Sequence, residues 1–180
     1  MPLFYTGKGD KGISHVGKKK YPKDSLILET LGDLDELNSF LGLVRSVVQN
    51  KKLAAGIEQV QQHLFIIQAQ VAVVMFPEFK SPQLKKEKVE WLEREIRAIE
   101  KKIAPKRGFV IPGATISAAW LDVVRAVSRR TERTATAFNR KYPLAQEILS
   151  YLNRLSSYLY ALARLESVSR NIREQKPKYR

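Results

Sequence analysis

Between Phe109 and Arg133 the chain reads FVIPGATISAAWLDVVRAVSRRTER, a Pro-Gly break followed by a helical segment with Arg125, Arg129, Arg130, Glu132 and Arg133. On a helix, residues three and four apart share a face, so positions 125, 129 and 132 project together. Guanidinium groups offer forked donors that match phosphate oxygens, and here they follow an apolar loop. This grouping suits a polyphosphate beside an apolar cavity. The same spacing also serves ordinary salt bridges on an exposed helix, each worth about 0.2–0.5 kcal/mol.

A second candidate lies at the other end. Gly7-Lys8-Gly9-Asp10-Lys11-Gly12 has the spacing G-x-G-x-x-G. A dinucleotide fingerprint needs a strand before it and a helix after it in a βαβ unit, and no such pattern surrounds it. No Gly-Lys-Ser/Thr closes it as a Walker loop. Its composition still favours anions, because glycines let backbone N–H groups approach a phosphate closely. Lys8, Lys11, Ser14 and Lys23 add charge and donors. A basic N-terminal arm is the alternative.

Composition narrows the chemistry. The chain has no cysteine and only two histidines, His15 and His63. Disulfides, thiolate nucleophiles and Cys or His-rich metal sites are excluded. The formal net charge of +14 favours anionic partners, namely nucleotides, nucleic acid or an acidic membrane surface. The N-terminus lacks a signal-peptide pattern, and the apolar run Leu64–Phe76 is too short and too polar to span a bilayer. A cytoplasmic protein without membrane segments is expected.

Helical periodicity supplies the frame for these groups. The 180 residues suit one domain, 1–180. Residues 1–25, rich in glycine and proline, read as a loop without helix or clear strand. Leu34, Leu37, Leu41, Val44 and Val48 mark a first helix over about 29–49. Ile57, Val60, Leu64, Ile67, Val71 and Val74 mark a second over about 52–75. Extra apolar residues such as Phe65 and Ile66 make that helix the expected centre. Ser81-Pro82 is a candidate start for a third, more exposed helix ending near Ile103. The fourth runs from about Thr115 to Arg140, and Pro143 opens a fifth reaching about Ile172. Residues 174–180 are expected to fray. The predicted fold is all-α, a five-helix up-and-down bundle with an N-terminal glycine-rich nucleotide-binding loop.

The motifs together resemble the PduO-type ATP:cob(I)alamin adenosyltransferases. Five ordered blocks carry the resemblance: Tyr5–Ser14 with Lys23-Asp24, Gly32–Asn38, Phe109–Gly113, Arg125–Arg133 and Tyr151–Ser156. The resemblance implies transfer of the 5′-deoxyadenosyl group of ATP to the cobalt of a reduced corrinoid (cobalamin), with release of triphosphate. It implies a homotrimer with sites between subunits, and magnesium carried mainly on the phosphates without a certain protein ligand. By block match, Thr6, Gly7, Lys8, Gly9, Ser14, His15 and Lys23 would line the nucleotide. Arg129, Arg130, Glu132 and Arg133 would complete a phosphate clamp, and Asn153 would bond the nucleotide, at the ribose. Phe109 would face the corrin and favour loss of the lower axial ligand. Asp35 and Arg125 would pair on the corrinoid side. Arg129, Phe109 and Lys8 are the residues most directly tied to the chemistry.

The chain departs from the family pattern at a few positions. Lys8 stands where the family usually has Thr, Ala114 replaces a second glycine, Asp122 stands where His is common and Ser128 where Cys is common. The stretch from Gly12 to Lys23 is one residue short, which bears on His15 and Lys23. Two other readings remain at this level: a catalytically inactive homologue that binds ATP or corrinoid, and a basic helical nucleic-acid-binding protein. The latter lacks any helix-turn-helix or RNP signature. A reductase and an adenosylcobalamin-dependent enzyme are the partners implied.

Overall fold

The computed structural model describes residues 4–5, 7–16, 19–104 and 108–179. Its elements are β1 (Ile13–Val16), β2 (Lys19–Pro22), α1 (Leu26–Val47), α2 (Lys51–Ala72), α3 (Lys86–Ile103), α4 (Ile116–Lys141) and α5 (Gln146–Ser169). Helix α4 packs against α1 and α5, α1 also against α2, and α5 also against α3. This is the five-helix bundle that the periodicity predicts.

The first correction concerns the N-terminal loop. Strands β1 and β2 pair antiparallel, with Ser14 opposite Tyr21 and Val16 opposite Lys19. Val16 and Tyr21 pack against the bundle core, which gives this short ribbon the apolar support a lone hairpin lacks. The strands are too short and too lysine-rich to read from the sequence.

The second correction is the centre of the bundle. Helix α5 holds it, with Ile148, Tyr151, Leu152, Leu155, Tyr158, Leu159 and Leu162 buried. On α2, Phe65 remains 57% exposed and Ile66 only half-buried, so its wide apolar stripe is partly surface. The polar residues that hide the centre belong to α5 itself, because Ser156, Arg164, Glu166 and Ser167 are buried too.

Helix starts differ as well. Ser81-Pro82 does not open α3. Leu84 is buried, so the chain runs into the core before α3 begins at Lys86, without a side-chain cap. Pro143 precedes α5 by three residues, since the helix starts at Gln146. Helix α4 starts as read: Thr115 Oγ1 accepts the Ala118 N–H at 3.0 Å, an N-cap that fixes the helix carrying the arginines.

In the core, His63 is 3% exposed. Its Nδ1 lies 3.0 Å from Tyr151 Oη and its Nε2 2.8 Å from the Gln59 amide nitrogen. Gln59 can only donate there, so Nε2 accepts and Nδ1–H donates to Tyr151. Burial, and then the charge of Lys88, hold His63 down at about 4, so it is neutral at pH 7.

Candidate active site

On one face of α4, Arg129, Glu132, Arg133, Thr136, Ala137 and Arg140 line a cleft of about 430 Å³, with Asn153 of α5 opposite. The residues recur at three and four positions, so successive turns stack them along one side. Three arginines face one glutamate. Among the described residues, nothing accepts a hydrogen bond or ion pair from the Arg129 guanidinium. Arg133 Nη1 donates to the Arg129 carbonyl at 3.1 Å.

Glu132 and Asn153 are held by a relay. Asn153 Nδ2 donates to Glu132 Oε1 at 2.8 Å, and Asn153 Oδ1 accepts from Arg154 Nη1 at 2.7 Å. Arg154 Nε in turn donates to Glu93 Oε1 at 3.1 Å, reaching α3. Two fixed partners set which end of the Asn153 amide faces which neighbour.

A second cleft, of about 360 Å³, shares Arg129 and adds Arg125, Ser156, Tyr160 and Arg164, with Ile96 and Ile103 of α3 as its apolar wall. Arg164 lies over the Tyr160 ring at 4.8 Å and Arg125 at 6.0 Å. A polyphosphate-type cleft therefore adjoins one that is part cationic and part aromatic.

Arg130 does not join this face. One residue further round the helix, it bonds Glu36 and lies 3.7 Å from Asp33, both on α1. The bond to Glu36 raises its already high pKa, so the group is fully charged and compensated. Thr134 Oγ1 donates to Asp33 Oδ2 at 2.6 Å, completing an α1–α4 seam. The sequence reading put Arg130 in the phosphate clamp; the helical turn places it in the seam.

Other expected residues distribute as follows. Thr6 lies outside the described residues. Gly7, Lys8, Gly9 and Lys23 form a turn region in which Lys23 N–H reaches the Gly12 carbonyl at 2.9 Å. Ser14 and His15 are neighbours on a strand, so they point to opposite faces; Ser14 is half-buried and His15 exposed. One chain thus cannot turn both towards one ligand through the same strand face. Among the described residues, none of this N-terminal region lines either cleft. Asp35 is exposed on α1, and among the described residues it makes no pair with Arg125. Arg125 Nε is buried without a hydrogen-bond partner. Phe109 is 77% exposed, which overturns the ordinary expectation of a core phenylalanine. Among the described residues, no cluster of three carboxylate or imidazole groups could hold a metal ion.

The comparisons with known proteins fit this arrangement. Residues 4–166 match the family model described as cobalamin adenosyltransferase. The chain belongs to the cobalamin adenosyltransferase family. A corrinoid adenosyltransferase of Bacillus subtilis is 35% identical over 166 residues, covering 90% of this chain and 85% of that protein. One of Citrobacter freundii is 32% identical, covering 96% of this chain and 99% of that protein. Among solved structures, a variant PduO-type ATP:corrinoid adenosyltransferase from Lactobacillus reuteri complexed with cobalamin and ATP superposes with a TM-score of 0.90. It shares 28% identity, with 97% of this chain and 96% of that chain covered. In this cobalamin adenosyltransferase family member, no helix among the described residues is long and apolar enough to cross a membrane.

Several site residues escaped the sequence reading. Arg140 carries a weak signal, since it stands about three helical turns beyond Arg129. Tyr160 and Arg164 carry none, because only the packing of α5 against α4 assembles them.

Proposed function

We propose that this protein transfers the 5′-deoxyadenosyl group of ATP to the cobalt of a reduced corrinoid, releasing triphosphate. The observation that carries the reading is Arg129, which has no ion-pair or hydrogen-bond acceptor among the described residues and joins a cationic cleft to an aromatic one. The cobalt(I) electron pair attacks C5′ of the ribose, and the C5′–O bond breaks with its electrons leaving on the triphosphate. The metal is the nucleophile, so a chain without cysteine is no obstacle.

The protein's work is positioning, charge neutralisation and exclusion of water. Arg129, Arg133 and Arg140 stabilise charge growing on the leaving triphosphate. Glu132 and Asn153, pre-set by their mutual bond, meet the nucleoside. Magnesium belongs to this reading as an ion brought on the phosphates, in keeping with the single carboxylate of the cationic cleft.

The N-terminal turn, with Thr6, Lys8 and Lys23, completes the nucleotide site from a neighbouring subunit of a homotrimer. The exposed apolar pair Ile116 and Val123 on α4 supports that sharing, and none of the described N-terminal residues lines either cleft. The lone Arg125 Nε and exposed Asp35 are then partners across the same contact. Phe109 faces the corrin and displaces the lower axial ligand, which eases reduction of cobalt(II). The reaction also calls for a reductase that supplies the electron and an adenosylcobalamin-dependent enzyme that takes the product. A cytoplasmic location belongs to the same reading.

The test is direct. Protein, ATP, magnesium and chemically reduced corrinoid should show the absorbance change of Co–C bond formation. ATP binding without turnover would favour an inactive binding homologue, and no ATP binding would overturn the reading. For Phe109, alanine substitution should slow the reaction from cobalt(II) more than from pre-reduced cobalt(I); equal losses would refute its role.

A further inference from the structure

Just before the stretch 174–180, where the sequence suggests fraying, the chain makes a defined turn after α5. Asn171 takes φ +54°, a left-handed conformation that asparagine tolerates. Its N–H bonds the Val168 carbonyl at 3.0 Å, and the Ile172 N–H bonds the Ser167 carbonyl at 3.0 Å. These two bonds form a Schellman motif, which satisfies the last carbonyls and turns the chain back along its own helix.

Two fastenings follow the reversal. Glu174 Oε1 lies 3.0 Å from Arg164 Nη1, an ion pair by distance that lacks hydrogen-bond geometry, while Arg164 Nη2 donates to Asp122 Oδ2 at 2.6 Å. The Arg164 and Asp122 side chains are each 6% exposed and that of Glu174 16%, so one buried guanidinium bridges α4, α5 and the C-terminal segment. Next, the Gln175 carbonyl accepts the Ile111 N–H at 2.8 Å. Among the described residues, this is the one backbone hydrogen bond that ties the Phe109–Gly113 loop to another part of the chain.

The loop needs such a tether. Gly108 (φ +128°) and Gly113 (φ +103°) bound it, both in conformations that L side chains rarely adopt. A loop pivoted on two glycines, with Phe109, Ile111 and Pro112 exposed and only Val110 half-buried, has little packing of its own to fix its height. The buried ion cluster, for its part, adds little net stability, because desolvation offsets its Coulomb gain. Its effect is geometric: it specifies where residues 174 and 175 lie.

We propose that Arg164, Glu174 and the Gln175 carbonyl are positioning groups for the corrinoid, acting as a strap that sets the Phe109 loop. This rests on the reading that Phe109 faces the corrin. Asp122 is then the fixed end of the strap, and Arg164, which also lines the cleft beside Arg129, links the two halves of the site.

The test compares full-length protein with a chain ended after Arg173, with Glu174→Gln and with Glu174→Asp. The shortened chain should raise the apparent KM for reduced corrinoid by about tenfold, since small misplacements cost that much or more. Its KM for ATP should stay within about twofold and its helical melting transition should be retained, because α5 is intact. Glu174→Gln should fall between, and Glu174→Asp should recover most of the loss. An unchanged corrinoid KM, or an equal rise in both KM values, would overturn the proposal. Hydrogen exchange supplies an arm independent of activity: the Ile111 amide should be protected in the full chain and exchange at least about tenfold faster in the shortened one. An unprotected Ile111 amide in the full chain overturns the strap even if the enzyme is active. Failure of the full chain to make adenosylcobalamin, with Ile111 protected, would instead count against the proposed activity.

Discussion

Arg129 and Arg130 are adjacent in sequence and opposite in circumstance. Arg130 is bonded to Glu36 and near Asp33, closing a seam between α1 and α4. Arg129 meets no acceptor among the described residues and borders two clefts. A helix turns about 100° between neighbours, so two identical side chains can serve two different surfaces. A compensated charge spends its donors within the fold. An uncompensated one keeps its donors for a ligand that brings the opposite charge.

The largest effect should follow removal of the uncompensated group. Arg129→Ala should lower turnover by about 10²–10³-fold, as loss of one preorganised donor typically does. Its thermal stability should stay within about 0.5 kcal/mol of wild type, as befits an unpaired surface group. Steady-state adenosylation and a melt measured together decide this, and a wild-type rate would break the contrast.

Acid should separate fold from charge. The arginines stay ionised at every accessible pH, so they contribute no titration of their own. His63 has a folded value of about 4 against 6.5 unfolded, so the unfolded chain binds the extra proton between those values. Stability is therefore full above about pH 6.5 and declines towards pH 4, by up to about 3 kcal/mol. ATP affinity, measured from pH 8 to 6, should be nearly flat in its protein component. A loss of binding in acid before any loss of helical signal would contradict this account.

Asn153→Asp comes next. It replaces an amide that donates to Glu132 with a second carboxylate, setting like charges together in the cleft. ATP affinity by calorimetry should drop about tenfold, the effect of a repulsion near 1.4 kcal/mol. An unchanged affinity would remove Asn153 from the site. The smallest effect belongs to the seam. Arg130→Ala should cost no more than about 1 kcal/mol, because its partners are partly exposed. A double-mutant cycle with Glu36→Gln should recover a coupling of about 0.5 kcal/mol or more, with ATP affinity unchanged. Arg130→Ala that instead abolishes ATP binding would return it to the clamp.

The pattern of success in reading the sequence follows range of interaction. Leu34, Leu37 and Leu41 announce α1 because a helix writes its buried face at fixed local spacing. The Thr115 cap and the α4 face likewise depend on residues within a few positions of one another. The pairing of β1 with β2 was missed because its support comes from Val16 and Tyr21 meeting the distant bundle. The seam that Arg130 joins was invisible because the charges that meet it, Asp33 and Glu36, sit on α1, almost a hundred positions away. The Asp122–Arg164–Glu174 cluster left no trace in spacing, since three separate segments supply it. The role proposed for Phe109 rests on an ordered set of motifs and not on its individual environment.

The core around His63 has an optical consequence. The protein has two tryptophans, and one of them, Trp91, meets the His63 ring edge-on at a centroid distance of 5.6 Å. The other, Trp120, leans on Phe40 at 6.3 Å. Neither lines the two clefts that Arg129 borders. Intrinsic fluorescence should therefore gauge the interior: protonation of His63 in acid is expected to dim Trp91, which a pH titration of its emission would check. The molecule carries its own indicator of core protonation, one that nucleotide occupancy of the cationic cleft leaves unlit.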